Sequence, residues 1–373
     1  MRKQWSLAGA WTFETDPKDQ GEAGGWYERE QELGQGFPAG REVQVPHIWQ
    51  RDGGELVNYY GVAWYARTFQ VKDRDRQKRL FLHFEAVDYM TRVWVNGRYA
   101  GEREGGFTPF EFDITEYITD KEDQTVTVRV YDPQDNADIP IGKQGSWYTR
   151  VSGIWQDVFV EERSAAYVDH IWITPDTGRS SISVKYRLSG AGEGQAQPVS
   201  YTVRHHLGDG AAVVSGHAEA AAKDGSIQIE IPNAVLWDTE NPHLYELELS
   251  LDNENGDFDR KTEIFGMRQV GHADGIITLN GKPLYIRGAL DQAFYPDTIY
   301  TAPSDEYIQR EIRLAKEMGF NLLRKHIKVE IPRYLYWADR MGMLIWAEPP
   351  NYVKWTKTGQ LRFRNELMGM VDR

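Results

Sequence analysis

Cysteine is absent from the 373 residues, which excludes disulfides, thiolate metal sites and a cysteine nucleophile. No run of ~20 apolar residues is available to cross a bilayer as a helix. Met1-Arg2-Lys3-Gln4-Trp5 leads into no apolar stretch of signal-peptide length. The expectation is a cytoplasmic protein with no membrane partner. Positive charge is also scarce, with 43 Lys+Arg against 56 Asp+Glu and a net charge of −13. Nucleic-acid binding needs a basic face to neutralise phosphates, so no nucleic-acid partner is expected. The 40% hydrophobic and 27% charged content is that of a globular chain, long enough for two or three domains of ~100–150 residues. Aromatics are the abundant class, at 13 Trp, 20 Tyr and 14 Phe. Packing in β-sandwich cores is the simpler use for them, and sugar-stacking surfaces are the alternative.

Three regions follow one another. From Trp5 to Arg163, short alternating runs such as Ala63–Phe69, Arg79–Phe84, Thr91–Val95 and Gln124–Val130 read as strands. Asn96-Gly97 directly after Val95 is a strong hairpin signal. From Tyr167 to Arg268 a second strand-rich region includes Ile182–Tyr186, Ser200–Arg204 and Tyr245–Leu249, with the Gly/Ala-rich stretch Ser189–Gln197 read as a loop. After Val270 the period changes. Leu284–Gly288, Phe320–Arg324 and Met343–Ala347 read as strands, separated by helices. Ser304 caps the first of these and Asp305 and Glu306 suit its dipole, while Gly319 marks its stop. Pro332 opens the second and Gly342 ends it; Arg362–Val371 is a third. Strands alternating with helices imply parallel pairing. No Gly-rich phosphate fingerprint follows the first strand, which disfavours a dinucleotide fold. A (β/α)8 barrel takes ~250 residues, so a barrel begun here cannot close within this chain.

These residues resemble glycoside hydrolase family 2, the family of β-galactosidases and β-glucuronidases. The likeness lies in several motifs in the family's order: Gly61-Val62-Ala63-Trp64-Tyr65, Val93-Trp94-Val95-Asn96-Gly97, Gly105-Gly106-Phe107-Thr108-Pro109-Phe110 and Ser152-Gly153-Ile154-Trp155-Gln156-Asp157. Leu236-Trp237 with Asn241-Pro242-His243-Leu244-Tyr245, Phe265-Gly266-Met267-Arg268 and Leu279-Asn280-Gly281-Lys282-Pro283 continue it. The resemblance implies a mostly β, multidomain chain. It comprises a jelly-roll (galactose-binding-like) sandwich over 1–165, an immunoglobulin-like sandwich over 166–269, and the first three units of a truncated (β/α)8 barrel over 270–373. It implies the N-terminal portion of a retaining exo-β-glycosidase, a carbohydrate substrate and no cofactor, and it leaves a homo-oligomer open. The retaining reaction needs two carboxyl groups ~5–5.5 Å apart. The resemblance puts them on the fourth and seventh barrel strands, beyond residue 373, so no catalytic residue is expected in this chain. The alternative is a non-catalytic carbohydrate-binding or scaffold protein.

Within the chain, Asp291, Arg324, His326 and Glu348 fall at the ends of the three parallel strands and are the expected substrate-binding residues. A structural ion pair of Arg324 with Glu348, a structural His326 and a loop-capping Asp291 are the bland alternatives. Asn365-Glu366 imitates the family's Asn-Glu pair, but its charged flank and the spacing of Leu367, Met370 and Val371 place it on a solvated helix face. Family members carry Asn-x-His-Glu where this chain has Ala289-Leu290-Asp291-Gln292, and Ser-His-Tyr-Pro where it has His326-Ile327-Lys328-Val329. Trp147 stands where galactosidase-like members have an Asp, which counts against galactose, and Lys325, Lys328 and Arg324 leave room for an acidic sugar. Trp64, Trp94 and Trp237 read as core; Trp147, Tyr148 and Trp155 are the candidates for an exposed stacking face. His205-His206 has no partner at metal-ligand spacing, so no metal is expected. An unclosed barrel leaves apolar edges bare, which predicts self-association.

Overall fold

The computed structural model describes residues 2–29, 37, 39–145, 147–190, 196–221, 223–252 and 258–372. The chain is mostly β. Six antiparallel strands form one sheet in the order Arg41–Val45, Gly9–Asp16, Gly61–Phe69, Gln124–Asp132, Met90–Val95, Arg98–Glu104. A second sheet, Gln4–Ser6, Val158–Arg163, Arg79–Phe84 and Phe110–Asp113, lies against it. Period-two alternation sends Val126, Val128 and Val130 of one sheet, and Leu80, Leu82 and Phe84 of the other, into a shared core. The residues between them on Gly61–Phe69 point the other way, so Val62, Trp64 and Ala66 pack with Trp94 and Phe37 in a separate aromatic cluster. Asn96 and Gly97 both take positive φ, 51° and 75°, and join the hairpin as their sequence requires.

A three-stranded sheet (Ala166–Asp176, Ser181–Gly190, Asp224–Glu230) then faces a four-stranded one (Ala212–Ala221, Gln197–His205, Tyr245–Asp252, Phe258–Phe265). Their inward Val, Ile and Leu side chains make one core. Ser189 and Gly190 finish a strand and Gln197 starts the next; residues 191–195 of the expected loop lie outside the described residues.

The C-terminal region holds three parallel strands in the order Gly288–Asp291, Leu322–Lys325, Leu344–Ala347. Two helices connect them. Asp305–Glu317 is capped by the Ser304 hydroxyl, which accepts from Tyr307 N–H, and it buries Ile308, Ile312 and Ala315. Pro332–Met341 starts on proline and stops at Gly342 in the left-handed region. The first strand departs from the sequence expectation. It begins at Gly288, where the expected strand ended, because the Asn321 side chain takes the backbone of the preceding segment. Its Oδ1 accepts from Arg287 N–H and its amide donates to the Tyr285 carbonyl. Asp291 is therefore the last residue of the strand. The final helix, Lys357–Asp372, starts five residues earlier than expected, since the Thr356 hydroxyl accepts from Gly359 N–H as an N-cap does.

Candidate functional site

The ends of the three parallel strands carry Asp291, Lys325 and Ala347 as their last residues. Arg324, in the middle strand, donates from Nε to Glu348 Oε1 at 2.6 Å, and Glu348 Oε2 accepts from Ile327 N–H at 3.1 Å. The ion pair anticipated as the bland alternative thus exists, although Arg324 is exposed and retains N–H groups facing solvent. His326 lies beside Gln292, Nδ1 to Oε1 at 3.2 Å, and its backbone N–H donates to the Asp291 carbonyl. Partial burial lowers its pKa, and Lys143 and Arg324 push the same way against Glu348.

Asp291 is committed on both oxygens: Oδ1 accepts from Ala293 N–H at 2.8 Å and Oδ2 from Lys325 Nζ at 2.6 Å. Lys325 is wholly buried and also pairs with Glu330 at 3.0 Å, above the Tyr334 ring. Lys328, equally buried, donates to the Ala293 and Tyr300 carbonyls and pairs with Glu330. This corrects the expectation that these two lysines could meet an acidic sugar. They point to the helix side of the sheet, where burial without Glu330 would cost each of them heavily. Burial alone would lower the Lys325 pKa, but Glu330, then Tyr334 and Asp291, carry it above the ordinary lysine range. Lys328 yields to burial and drops to about 8. Glu330 is held at about 2, its burial outweighed by both lysines.

Glu366 requires a second correction. It sits on a helix as expected, but the face is buried, not solvated: Glu366 is 2% exposed. Helix Lys357–Asp372 packs on the Gly105–Thr108 loop of the first sandwich, so close that a Cβ on Gly106 would touch Asp88 and one on Gly105 would touch Glu366. Gly106 N–H donates to Glu366 Oε1 at 2.8 Å. Burial lifts the Glu366 pKa to about 7, against the pull of Gly106 N–H and Arg103. A folded pKa above the free value of 4.5 means that the fold favours the neutral acid. Its contribution is complete below about pH 4.5, declines as pH rises, and is lost above about 7. Glu366→Gln is expected to flatten this decline, gaining on the order of 1–3 kcal/mol on wild type between pH 5 and pH 8. Urea denaturation at the two pH values measures it; an unchanged difference would refute the assignment.

The aromatic candidates divide. Trp155 is buried, with Nε1 donating to the Gly106 carbonyl, and it packs by Phe107 and Tyr300. Trp64, Trp94 and Trp237 are core, as expected. Tyr148 stacks on Phe294 at 4.1 Å, and Trp147 is 76% exposed with Lys143 Nζ over its ring. His205 meets His243, and His206 meets Glu246; among the described residues no group of three His, Asp or Glu could hold a metal ion. No helix among them is long and apolar enough to cross a membrane. The loop that carries Lys143 and Trp147 to the strand ends was invisible to sequence reading, because its approach is a tertiary contact across more than 140 residues.

Residues 4–163 match the family description "Glycosyl hydrolases family 2, sugar binding domain", and residues 166–268 match "Glycosyl hydrolases family 2". A β-galactosidase of Thermoanaerobacter pseudethanolicus is 28% identical over 313 residues, covering 83% of this chain and 42% of that protein. A putative β-glucuronidase of Formosa agariphila is 29% identical over 315 residues, covering 83% of this chain and 38% of that one. Among solved structures, the β-glucuronidase from Ruminococcus gnavus in complex with D-glucuronic acid superposes with a TM-score of 0.85 at 24% identity, over all of this chain and 64% of its own. That last likeness is one of fold. The chain thus spans roughly two fifths of the length of the two curated relatives.

Proposed function

The chain belongs to glycosyl hydrolases family 2, and from that premise we propose that it is the N-terminal portion of a retaining exo-β-glycosidase. In this reading residues 1–165 are a jelly roll, 166–269 an immunoglobulin-like sandwich, and 270–373 the first three units of a (β/α)8 barrel. The carrying observation is the parallel sheet Gly288–Ala347, whose two outer strands each pair on one side only among the described residues. Leu290 and Trp346, each 52% exposed, lie in one row with Arg324 on the face turned away from the helices. An apolar row left bare on an open sheet is what further strands would cover. The polar groups at the strand ends would then face the mouth of the closed barrel. There Arg324 and His326 supply N–H donors for sugar hydroxyls, while Glu348 and Asp291 hold the arginine and the strand-end loop in place. The two carboxyl groups that form and hydrolyse a glycosyl-enzyme intermediate come from strands beyond residue 373.

The 373-residue chain alone is expected to leave 4-nitrophenyl β-glycosides intact. The polypeptide extended through the rest of its reading frame is expected to cleave one of them, releasing first the β-anomer, which proton NMR distinguishes. Turnover by purified chain alone, or release of the inverted anomer, would overturn the proposal. A reading frame that ends at Arg373 would favour a non-catalytic carbohydrate-binding or scaffold protein.

A further inference from the structure

We infer that the loop bearing Lys143 and Trp147 is a recognition element for the carboxylate of an acidic sugar, held by the first sandwich over the ends of the parallel strands. The inference rests on reading those strand ends as the substrate site of a glycosidase. Its first support is position. This one loop touches the segments that follow all three strands: Tyr148 stacks on Phe294 after the first, Gly142 abuts the Ile327 carbonyl after the second so closely that a Cβ would overlap it, and the Ile141 and Gly142 N–H groups both donate to the Asn351 carbonyl after the third. Lys143 is also among the charges that His326 feels.

Rigidity is the second support. Gln144, 1% exposed, ties the loop inward: its amide donates to Asp88 Oδ2 at 3.2 Å and its Oε1 accepts from Val151 N–H at 2.8 Å. Gly145 N–H donates to the Tyr148 carbonyl, and the Trp147 and Tyr148 N–H groups point back to the Lys143 carbonyl. With the backbone held at both ends, Lys143 and Trp147 are the side chains it presents outward, the ammonium 4.9 Å from the indole centroid.

Charge balance supplies the third. Around the strand ends Arg324 is neutralised by Glu348, and Lys325 by Asp291 and Glu330. Lys143 has no carboxylate within ion-pair distance among the described residues; its recorded partner is the Trp147 ring. A cation with no counter-ion, beside an exposed indole, suits a pyranose that stacks by its C–H face and carries its own carboxylate. Trp147 occupies a place where an acid would instead repel such a group.

The test is binding to the 373-residue chain, measured by saturation-transfer NMR and calorimetry at pH 7 with D-glucuronate, its uncharged methyl ester and D-glucose. Glucuronate is expected to bind about tenfold more tightly than the ester, the ratio for one charge-assisted hydrogen bond. Lys143→Met should abolish that preference, Lys143→Arg should keep it, and Trp147→Ala should weaken both ligands alike. Equal binding of acid and ester, a preference that survives Lys143→Met, or no binding of any of the three would overturn the inference. Two outcomes separate it from the reading beneath it. A longer polypeptide that cleaves neutral aryl glycosides, with no uronate preference here, keeps the glycosidase and removes the inference. Uronate binding through Lys143, with no glycoside cleaved by the longer polypeptide, does the reverse.

Discussion

Replacing Lys325 by methionine is expected to destabilise the C-terminal region by about 3–5 kcal/mol, the loss that follows when one partner of a buried ion pair is removed. Lys325 has no exposed surface, donates to Asp291 at 2.6 Å, and pairs with Glu330 at 3.0 Å; Glu330 is itself 2% exposed. Without the ammonium, Glu330 keeps only Lys328, 3.4 Å away and already drawn down to about pH 8 by burial. Adding Glu330→Leu should recover much of the loss, because the buried charge disappears with its partner. The pH dependence has a definite sign. The Glu330 pKa is about 2, below its free value of 4.5, so its stabilisation is complete above about pH 5 and fades as pH falls toward 2. Lys325 lies above its free value of 10.5, so its share is present below that pH and lost above it. Lys328 opposes both, costing stability below about pH 8. Urea midpoints across this range should flatten on the acid side in Lys325→Met. A loss under about 1 kcal/mol would show that the network is not held by its charges.

The second large effect is expected at Arg150. Its guanidinium, 6% exposed, pairs with Asp132, donates to the Pro133 carbonyl at 2.7 Å, and lies over the Tyr60 ring. Asp132 also accepts from the Ser152 hydroxyl. Burial lifts Asp132 to about 6 even with Arg150 beside it, and lifts Asp88 well above the ordinary carboxylate range, with Asp132 adding to the rise. Arg150→Met therefore leaves two buried acids facing each other without a cation. The cost should be about 3–5 kcal/mol at pH 8 and smaller at pH 5, where the acids can take protons. Asp132→Asn in the same background should return most of it. Equal costs at the two pH values would exclude charge as the cause. The variant should also loosen the Lys143 loop, because Asp88 is what Gln144 holds.

Particular elements show how far the linear chain could be read. The strand runs of both sandwiches, the Asn96-Gly97 hairpin, the Ser304 cap and the Pro332–Gly342 helix bounds all depend on neighbours a few residues apart, and all stand in the structure. The first parallel strand was misplaced by several residues because Asn321, more than 30 positions away, supplies its backbone partners. Arg324, His326, Asp291 and Glu348 do gather at the strand ends, in an Arg324–Glu348 pair, an Asp291–Lys325 pair and a His326–Gln292 contact. Lys325 and Lys328 could not be judged from sequence, since alternation along a four-residue strand does not say which face a later helix will cover.

From sequence alone came the family, the order of strand-rich and strand–helix regions, and the residues at the parallel strand ends, because each is written in local periodicity, turn chemistry or a contiguous motif. Only the tertiary structure decided that Glu366 is buried against Gly106, that Lys325 and Lys328 serve Glu330 and not solvent, and that Lys143 and Trp147 overhang the strand ends. Burial and ion pairing are set by whatever packs from elsewhere in the chain, and desolvation turns the same side chain from a solvated charge into a structural one.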